Sequence, residues 1–406
     1  MKASCCRAAL SLLVAATLVV GLQAGSRRTA QAVEDYVPVS GPVFNDPYGI
    51  TYSPRAIEDH IEALIESSPK GSTIRVATLG IDAVTARRAL VAAYRRGVIV
   101  RVVLPDAAAD TTEVVKLRRV LGNRWWRPGS YLVTCSRGCY SDSPNATMHA
   151  KLYMFSQTGA ARNVVVSSSA NLTRRAMYSN WNDAYTFVDN QEVYAAARAY
   201  VDGMRFDVNR AVATPVVSSG RNQVLFYPES NYRRTEDVYT TLLADTACSG
   251  ARSGSSVNGR TVVKVATSRW GARRLDVVRR LGNKVAAGCK VQVLVKAKTT
   301  DPRVLLELVR RNVPTRYSDG PDGLTANNHS KFLAVSGHIE RDRARSTVVT
   351  GSLNMTGAND RSDNVMVRIG DSARTYRRYA DSFAPIYRQA TPLTATVARA
   401  GARSSR

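Results

Sequence analysis

Apolar residues come in short blocks at Ile74 to Leu79 and Val98 to Leu104, and between them they recur at the 3.6-residue spacing of an amphipathic helix. The same succession returns at Val262 to Thr267 and Val291 to Val295, again around a helical stretch that ends in Gly. Each copy predicts a β-α-β unit. Both continue alike, with a second helix (Thr112 to Leu121, and Pro302 to Arg311), a further apolar strand, a polar turn and a closing helix (Glu192 to Phe206, and Ser372 to Tyr387). A repeat of this length predicts an α/β protein of two similar lobes, each with a central mixed sheet flanked by helices.

The boundaries follow from changes in the pattern. Residues 33–213 form the first lobe and 221–390 the second, joined by the small, Pro-containing linker 214–220. The run from Ala8 to Leu22 is apolar, follows Lys2 and Arg7, and precedes a small-residue "AQA", so residues 1–32 read as a secretory signal peptide. The tail 391–406 is basic, lacks acids and is expected to be disordered. A length of 406 residues suits two lobes, and 44% hydrophobic content excludes a disordered or fibrous chain.

Export changes the reading of the cysteines. Cys135, Cys139, Cys248 and Cys289 remain after the signal, and pairing Cys135 with Cys139 and Cys248 with Cys289 keeps each bridge within one lobe. No Cys/His spacing suits zinc, and no metal or cofactor is implied. The net charge of +25 predicts attraction to polyanions, without choosing between phospholipid, an anionic membrane surface and nucleic acid. A monomer is expected.

Chemistry enters where the two copies share rare residues. "NATMHAKLYMFS" places His149 two residues before Lys151, and "NNHSKFLAVS" places His329 two before Lys331, in a chain with four histidines. In extended chain such pairs face one way. A neutral imidazole can act as nucleophile or general base, and an ammonium beside it stabilises charge on phosphate oxygens. Downstream, "SSAN" carries Ser169 and Asn171, and "GSLN" carries Ser352 and Asn354, as polar donors on a turn.

This doubled His-x-Lys with Ser-x-Asn resembles the phospholipase D superfamily. The resemblance implies a two-lobed α-β-α fold with one active site where the lobes meet, and a metal-free reaction through a phosphohistidine. It implies one histidine as nucleophile and the other as acid and base, with Lys151, Lys331, Asn171 and Asn354 holding phosphate and Ser169 and Ser352 supporting. We take His149 as the nucleophile and His329 as the acid and base, an order on which the sequence does not break the symmetry. The sequence departs from the pattern where Ser156 and Ser336 replace the motif's aspartate. An acid downstream of the Ser-x-Asn turn is expected to orient each imidazole. "RSDN" offers Asp363, and "NWND" offers Asp183 or, in strict register, Asn182.

The expected function is therefore a secreted phosphodiesterase that hydrolyses or transphosphatidylates phospholipid head groups. A secreted nuclease and a degenerate binder of anionic lipid or nucleic acid are the alternatives. "RWWRPGSY", with Trp125 and Trp126 between arginines, would suit a membrane interface, base stacking or a core equally.

Overall fold

The computed structural model describes residues 37–404 apart from 211, 230–236, 320–325 and 358–360, so the signal-peptide assignment lies outside the described residues. The first lobe runs β1 (Gly41–Phe44), α1 (Ala56–Glu66), β2 (Thr73–Ala77), α2 (Val84–Arg95), β3 (Ile99–Pro105), α3 (Thr112–Leu121) and β4 (Tyr131–Cys135). It continues with β5 (Leu152–Thr158), β6 (Ala161–Ser168), α4 (Arg174–Tyr178), β7 (Asn180–Trp181), β8 (Asp183–Phe187) and α5 (Gln191–Met204). Its sheet has the order β1-β8-β6-β5-β2-β3-β4, with β2, β3 and β4 parallel and the rest antiparallel. That is the mixed sheet expected of a β-α-β unit followed by hairpins.

The second lobe begins with β9 (Val216–Ser219), β10 (Asn222–Tyr227), α6 (Val238–Ala244), β11 (Thr246–Ala247) and β12 (Ser256–Val257). The repeat proper is β13 (Arg260–Thr267), α7 (Leu275–Ala286), β14 (Lys290–Val295), α8 (Pro302–Arg310), β15 (Thr315–Tyr317), β16 (Asn327–Asn328), β17 (Phe332–Ile339), β18 (Asp342–Gly351) and β19 (Asn364–Ile369). It closes with α9 (Ala373–Gln389), β20 (Thr391–Pro392) and α10 (Ala395–Ser404). The main sheet, β20-β15-β14-β13-β17-β18-β19-β10-β9, repeats the first lobe's order with a strand added at either edge.

Two boundaries need correction. The stretch 214–220 is not a free linker, because Val216 to Ser219 form β9 against β10 and Val217 packs on a core. The tail 391–406 is not disordered where it is described. Ala398 is fully buried, and Leu393 and Val397 lie against the second lobe's core, so an apolar stripe at helical spacing outweighs the basic composition. Both expected disulfides are formed, Cys135 to Cys139 and Cys248 to Cys289. Among the described residues no helix is long and apolar enough to cross a membrane.

The lobes share their cores. One cluster joins Val165, Val201 and Tyr200 of the first lobe to Val224, Phe226, Val365 and Val367 of the second, and another joins Phe44 and Trp181 to Phe332, Ala334 and Tyr379. The backbone crosses the seam as well, since β7 and β16 pair in parallel and Met148 bridges Asp363. Packing of this density leaves the facing loops little freedom to shift.

Candidate active site

Each His-x-Lys segment is an extended stretch that leads into a strand, β5 or β17, and each is fixed by the opposite lobe. His149 donates its backbone N–H to Asp363 O (3.0 Å), and His329 donates its own to Trp181 O (2.9 Å). Lys151 Nζ donates to His149 O (2.6 Å) and Lys331 Nζ donates to His329 O, so each ammonium curls back beneath its own histidine.

The imidazoles meet asparagines from across the seam. His149 Nδ1 lies 2.9 Å from Asn364 Oδ1, and His329 Nδ1 lies 2.9 Å from Asn182 Oδ1. Behind these, Ser352 Oγ donates to Asn364 Oδ1 and Ser169 Oγ to Asn182 Oδ1, both at 3.0 Å. Asn182 Nδ2 donates to Ala176 O (2.9 Å) and Asn180 O (3.2 Å), and Asn364 Nδ2 donates to Ser362 O (3.2 Å). With the amide nitrogens so committed, only the oxygens can face the rings, so each Nδ1 carries the proton and each Nε2 keeps its lone pair. Lys331 Nζ also lies 3.3 Å from His329 Nδ1, but one nitrogen cannot donate to Oδ1 and accept from Nζ together. The shorter contact with Asn182 decides the tautomer.

Asp183 and Asp363, expected as the orienting acids, do not fill that role. Side chains alternate across an extended strand, so the residues beside Asn182 and Asn364 point the other way. Asp183 Oδ2 accepts from Tyr379 Oη (2.9 Å) and Thr350 Oγ1. Asp363 accepts from the backbone N–H groups of Cys139 (2.5 Å) and Tyr140 (3.1 Å), tying the disulfide loop of the first lobe to the second. Burial pushes its carboxyl up to about 7 against the pull of those two donors. Asn364 was missed. The spacing held no signal for it, because "NWND" laid on "RSDN" sets Asn182 opposite Asp363, and Asn182 lies 11 positions after Asn171 whereas Asn364 lies 10 after Asn354.

Asn171 and Asn354 end the strands as expected. Asn171 Oδ1 accepts from Thr78 Oγ1 and Leu79 N (both 3.2 Å), and Asn354 Oδ1 accepts from Ser268 Oγ (2.8 Å). Each amide is thereby oriented through its oxygen, which turns Nδ2 away from that anchor. Ser169 and Ser352 are buried, with their hydroxyls donated to Asn182 and Asn364.

The serines that stand in place of the motif's aspartates are both hydrogen-bonded. Ser156 Oγ accepts the N–H of Thr73 (2.8 Å) from the neighbouring strand, and Ser336 Oγ pairs with Ser346 Oγ (2.8 Å) across the β17–β18 pair. Both serines brace the sheet locally.

Charge in the site is one-sided. Burial, then Lys151 and Lys331, hold the His149 imidazole well below its ordinary range, while the hydrogen bond from Asn364 works the other way. Burial, then Lys331, Lys151 and His149, do the same to His329. Lys151 is lowered by burial and by Lys331. Lys331 is lowered by burial to about 7, with Asp183 opposing that fall. Asp183 therefore breaks the twofold pattern, because its counterpart in the second lobe is Val365. An empty site thus holds neutral imidazoles over reluctant ammonium groups, and an anion would favour protonation of all of them.

"RWWRPGSY" lies elsewhere. It precedes β4 at the end where β3 begins, whereas the histidines sit where β2 and β3 finish, roughly 20 Å along the sheet. Trp126 is exposed, and Trp125 packs edge-on against Phe206. The loop takes no part in the site.

Residues 61–205 match the family model described as cardiolipin synthase, PLD-like domain. The fold is similar to phosphatidylserine synthase of Haemophilus influenzae Rd KW20, with a TM-score of 0.58 and 12% identity over 90% of this chain and 91% of that one. It is also similar to polyphosphate kinase from Porphyromonas gingivalis, with a TM-score of 0.54 and 15% identity over 84% of this chain. The chain spans 45% of that kinase, less than half its length. No protein with a curated description matches in sequence. Residues 61–205 of the first lobe therefore carry a phospholipase D-like domain, and the fold of the whole chain is similar to that of phosphatidylserine synthase.

Proposed function

We propose that the protein is a secreted phosphodiesterase that hydrolyses or transphosphatidylates phospholipid head groups through a phosphohistidine. The observation that carries this reading is the reciprocal relay, Ser352–Asn364–His149 and Ser169–Asn182–His329, which aims two Nε2 lone pairs from opposite lobes. The reading as phospholipid rather than nucleic acid is supported by the likeness to phosphatidylserine synthase along the length of both chains and by the description of the matching family model. Two disulfides support an oxidising compartment.

In the first step His149 Nε2 attacks phosphorus, the bond to the head-group oxygen breaks, and His329 gives its Nε2 proton to that oxygen. In the second, a water or an acceptor alcohol loses its proton to His329 and its oxygen displaces His149 from phosphorus. His329 suits the second role because it is the more exposed ring. The diester brings the negative charge that lets His329 take up a proton on binding. Lys151, Lys331 and the Nδ2 groups of Asn171 and Asn354 hold the non-bridging oxygens.

The test gives the mature protein phosphatidylcholine, phosphatidylglycerol, and single- and double-stranded DNA in parallel, in excess EDTA. Head-group release that is lost in both His149→Ala and His329→Ala supports the reading. Turnover surviving either change, DNA cleavage without lipid turnover, or a requirement for added metal overturns it.

A further inference from the structure

The mouth of the site carries cations that the two-histidine chemistry does not use. β13 and β14 run parallel with Thr267 opposite Val295, so Arg269 and Lys296 emerge side by side at the carboxyl ends of the strands, where open α/β sheets bind ligands. The Arg269 backbone is held on both sides. Ser268 Oγ bonds Asn354 (2.8 Å), and Trp270, fully buried, bridges Met355 and Thr300. The Arg269 side chain is exposed and makes no ion pair among the described residues.

The first lobe has nothing comparable. Ile81 bridges Leu172 as Trp270 bridges Met355, which puts Gly80 in the place of Arg269. Across the seam, α4 adds the exposed Arg175 from the first lobe, and Lys298 follows Lys296. The β13–β14 register sets Arg269 beside Lys296, and α4 leads straight into the β7–β16 pair that joins the lobes. In keeping with that placement, burial first, then Arg175, Lys298 and Arg269 together, depress the Lys296 ammonium. Among the described residues Asp319 opposes them, and its carboxylate accepts the N–H groups of Ala297 (2.6 Å) and Lys298 (2.8 Å). The bond from Ser268 to Asn354 sets Arg269 next to a site asparagine, so this cluster borders the reacting centre, and Arg269 correspondingly adds to burial in lowering His149 and Lys331.

We propose that Arg269, Lys296 and Arg175 form a subsite for a second anionic group on the substrate, a carboxylate or phosphate beside the scissile diester, so that the preferred phospholipid has a negatively charged head group. This rests on the phosphodiesterase reading above. Like charges gathered at one mouth are unfavourable until an anion enters, and a guanidinium receives a carboxylate or phosphate in two-point geometry. A choline head group would instead bring a fourth positive charge to the cluster.

The experiment uses short-chain, monomeric phosphatidylserine and phosphatidylcholine, so that attraction to a charged bilayer plays no part, with an oligonucleotide as a third arm. The wild type should favour phosphatidylserine in kcat/KM by about tenfold or more, the scale of one charge-assisted contact. Arg269→Ala should remove most of that preference, chiefly through KM for phosphatidylserine, and Arg269→Lys should restore part of it. Arg127→Ala, in the distant loop before β4, should leave the preference intact. Equal turnover of both lipids, or a preference that survives Arg269→Ala, overturns the subsite while leaving the phosphodiesterase reading standing. Cleavage of the oligonucleotide without turnover of either lipid, or no turnover at all, overturns both.

Discussion

Replacing Asn364 by alanine removes the acceptor of His149 Nδ1–H without touching the reacting nitrogen. The contact is 2.9 Å long, buried, and the one influence that supports a charged His149 ring against burial and two lysines. As Nε2 bonds to phosphorus the ring becomes positive, so the Asn364 oxygen strengthens its hold in the transition state. A hydrogen bond to a charged partner contributes about 1.5–3 kcal/mol, which predicts a loss of about 10- to 150-fold in kcat with a smaller change in KM. The freed Nδ1–H also loses its reason to stay on that nitrogen, so part of the population should shift to the Nε2–H tautomer, which cannot attack. The assay pairs single-turnover kinetics with nitrogen NMR of the labelled imidazoles. A kcat within twofold of wild type, or an unchanged tautomer, refutes the relay. Ser352→Ala should give a milder loss, and the double variant should lose less than the two losses combined, since both act through one amide oxygen.

Three further outcomes follow from burial and charge. Lys331 is held at about 7 in the folded state against an ordinary value of 10.5, so the unfolded chain binds the extra proton between those limits and stability should rise with pH across that window. The gain should be on the order of a few kcal/mol, read as a rising urea midpoint from pH 7 to 10, and flattened in Lys331→Met. Binding of inorganic phosphate near neutral pH should be accompanied by proton uptake, measured by calorimetry in buffers of differing ionisation enthalpy; uptake of none contradicts neutral imidazoles in the empty site. Replacing Cys248 and Cys289 together by serine opens a loop of 41 residues and should cost about 4 kcal/mol, whereas opening Cys135–Cys139 should cost about 2 kcal/mol and loosen the turn held by Asp363.

What the sequence made legible was what has a period or a repeat. Strands, helices and the doubled His-x-Lys were visible because two halves of one chain carry the same spacing. The orienting partners were hidden by a single step of register. An acid stands beside each asparagine, and a side chain's face depends on where the strand begins, which composition does not encode. Asn182 lay in strict register yet offered no charge, and its value appears only once its Nδ2 is seen bonded to two carbonyls. The linker and tail were misread for a related reason, since Val216, Val217, Leu393 and Val397 have no use until a sheet edge and a core are there to receive them. Arg269 was invisible because a lone arginine after a strand carries no pattern until it is compared with Gly80.

The central claim is a covalent phosphohistidine, and rapid acid-free quenching of turnover followed by mass spectrometry tests it most directly. A phosphoryl or phosphatidyl group on His149 alone, formed before product and absent in His149→Ala, is the result expected. In His329→Ala any group that reaches His149 should persist there without release to product. Turnover with no modified histidine, or modification on a residue other than His149 and His329, would contradict the account.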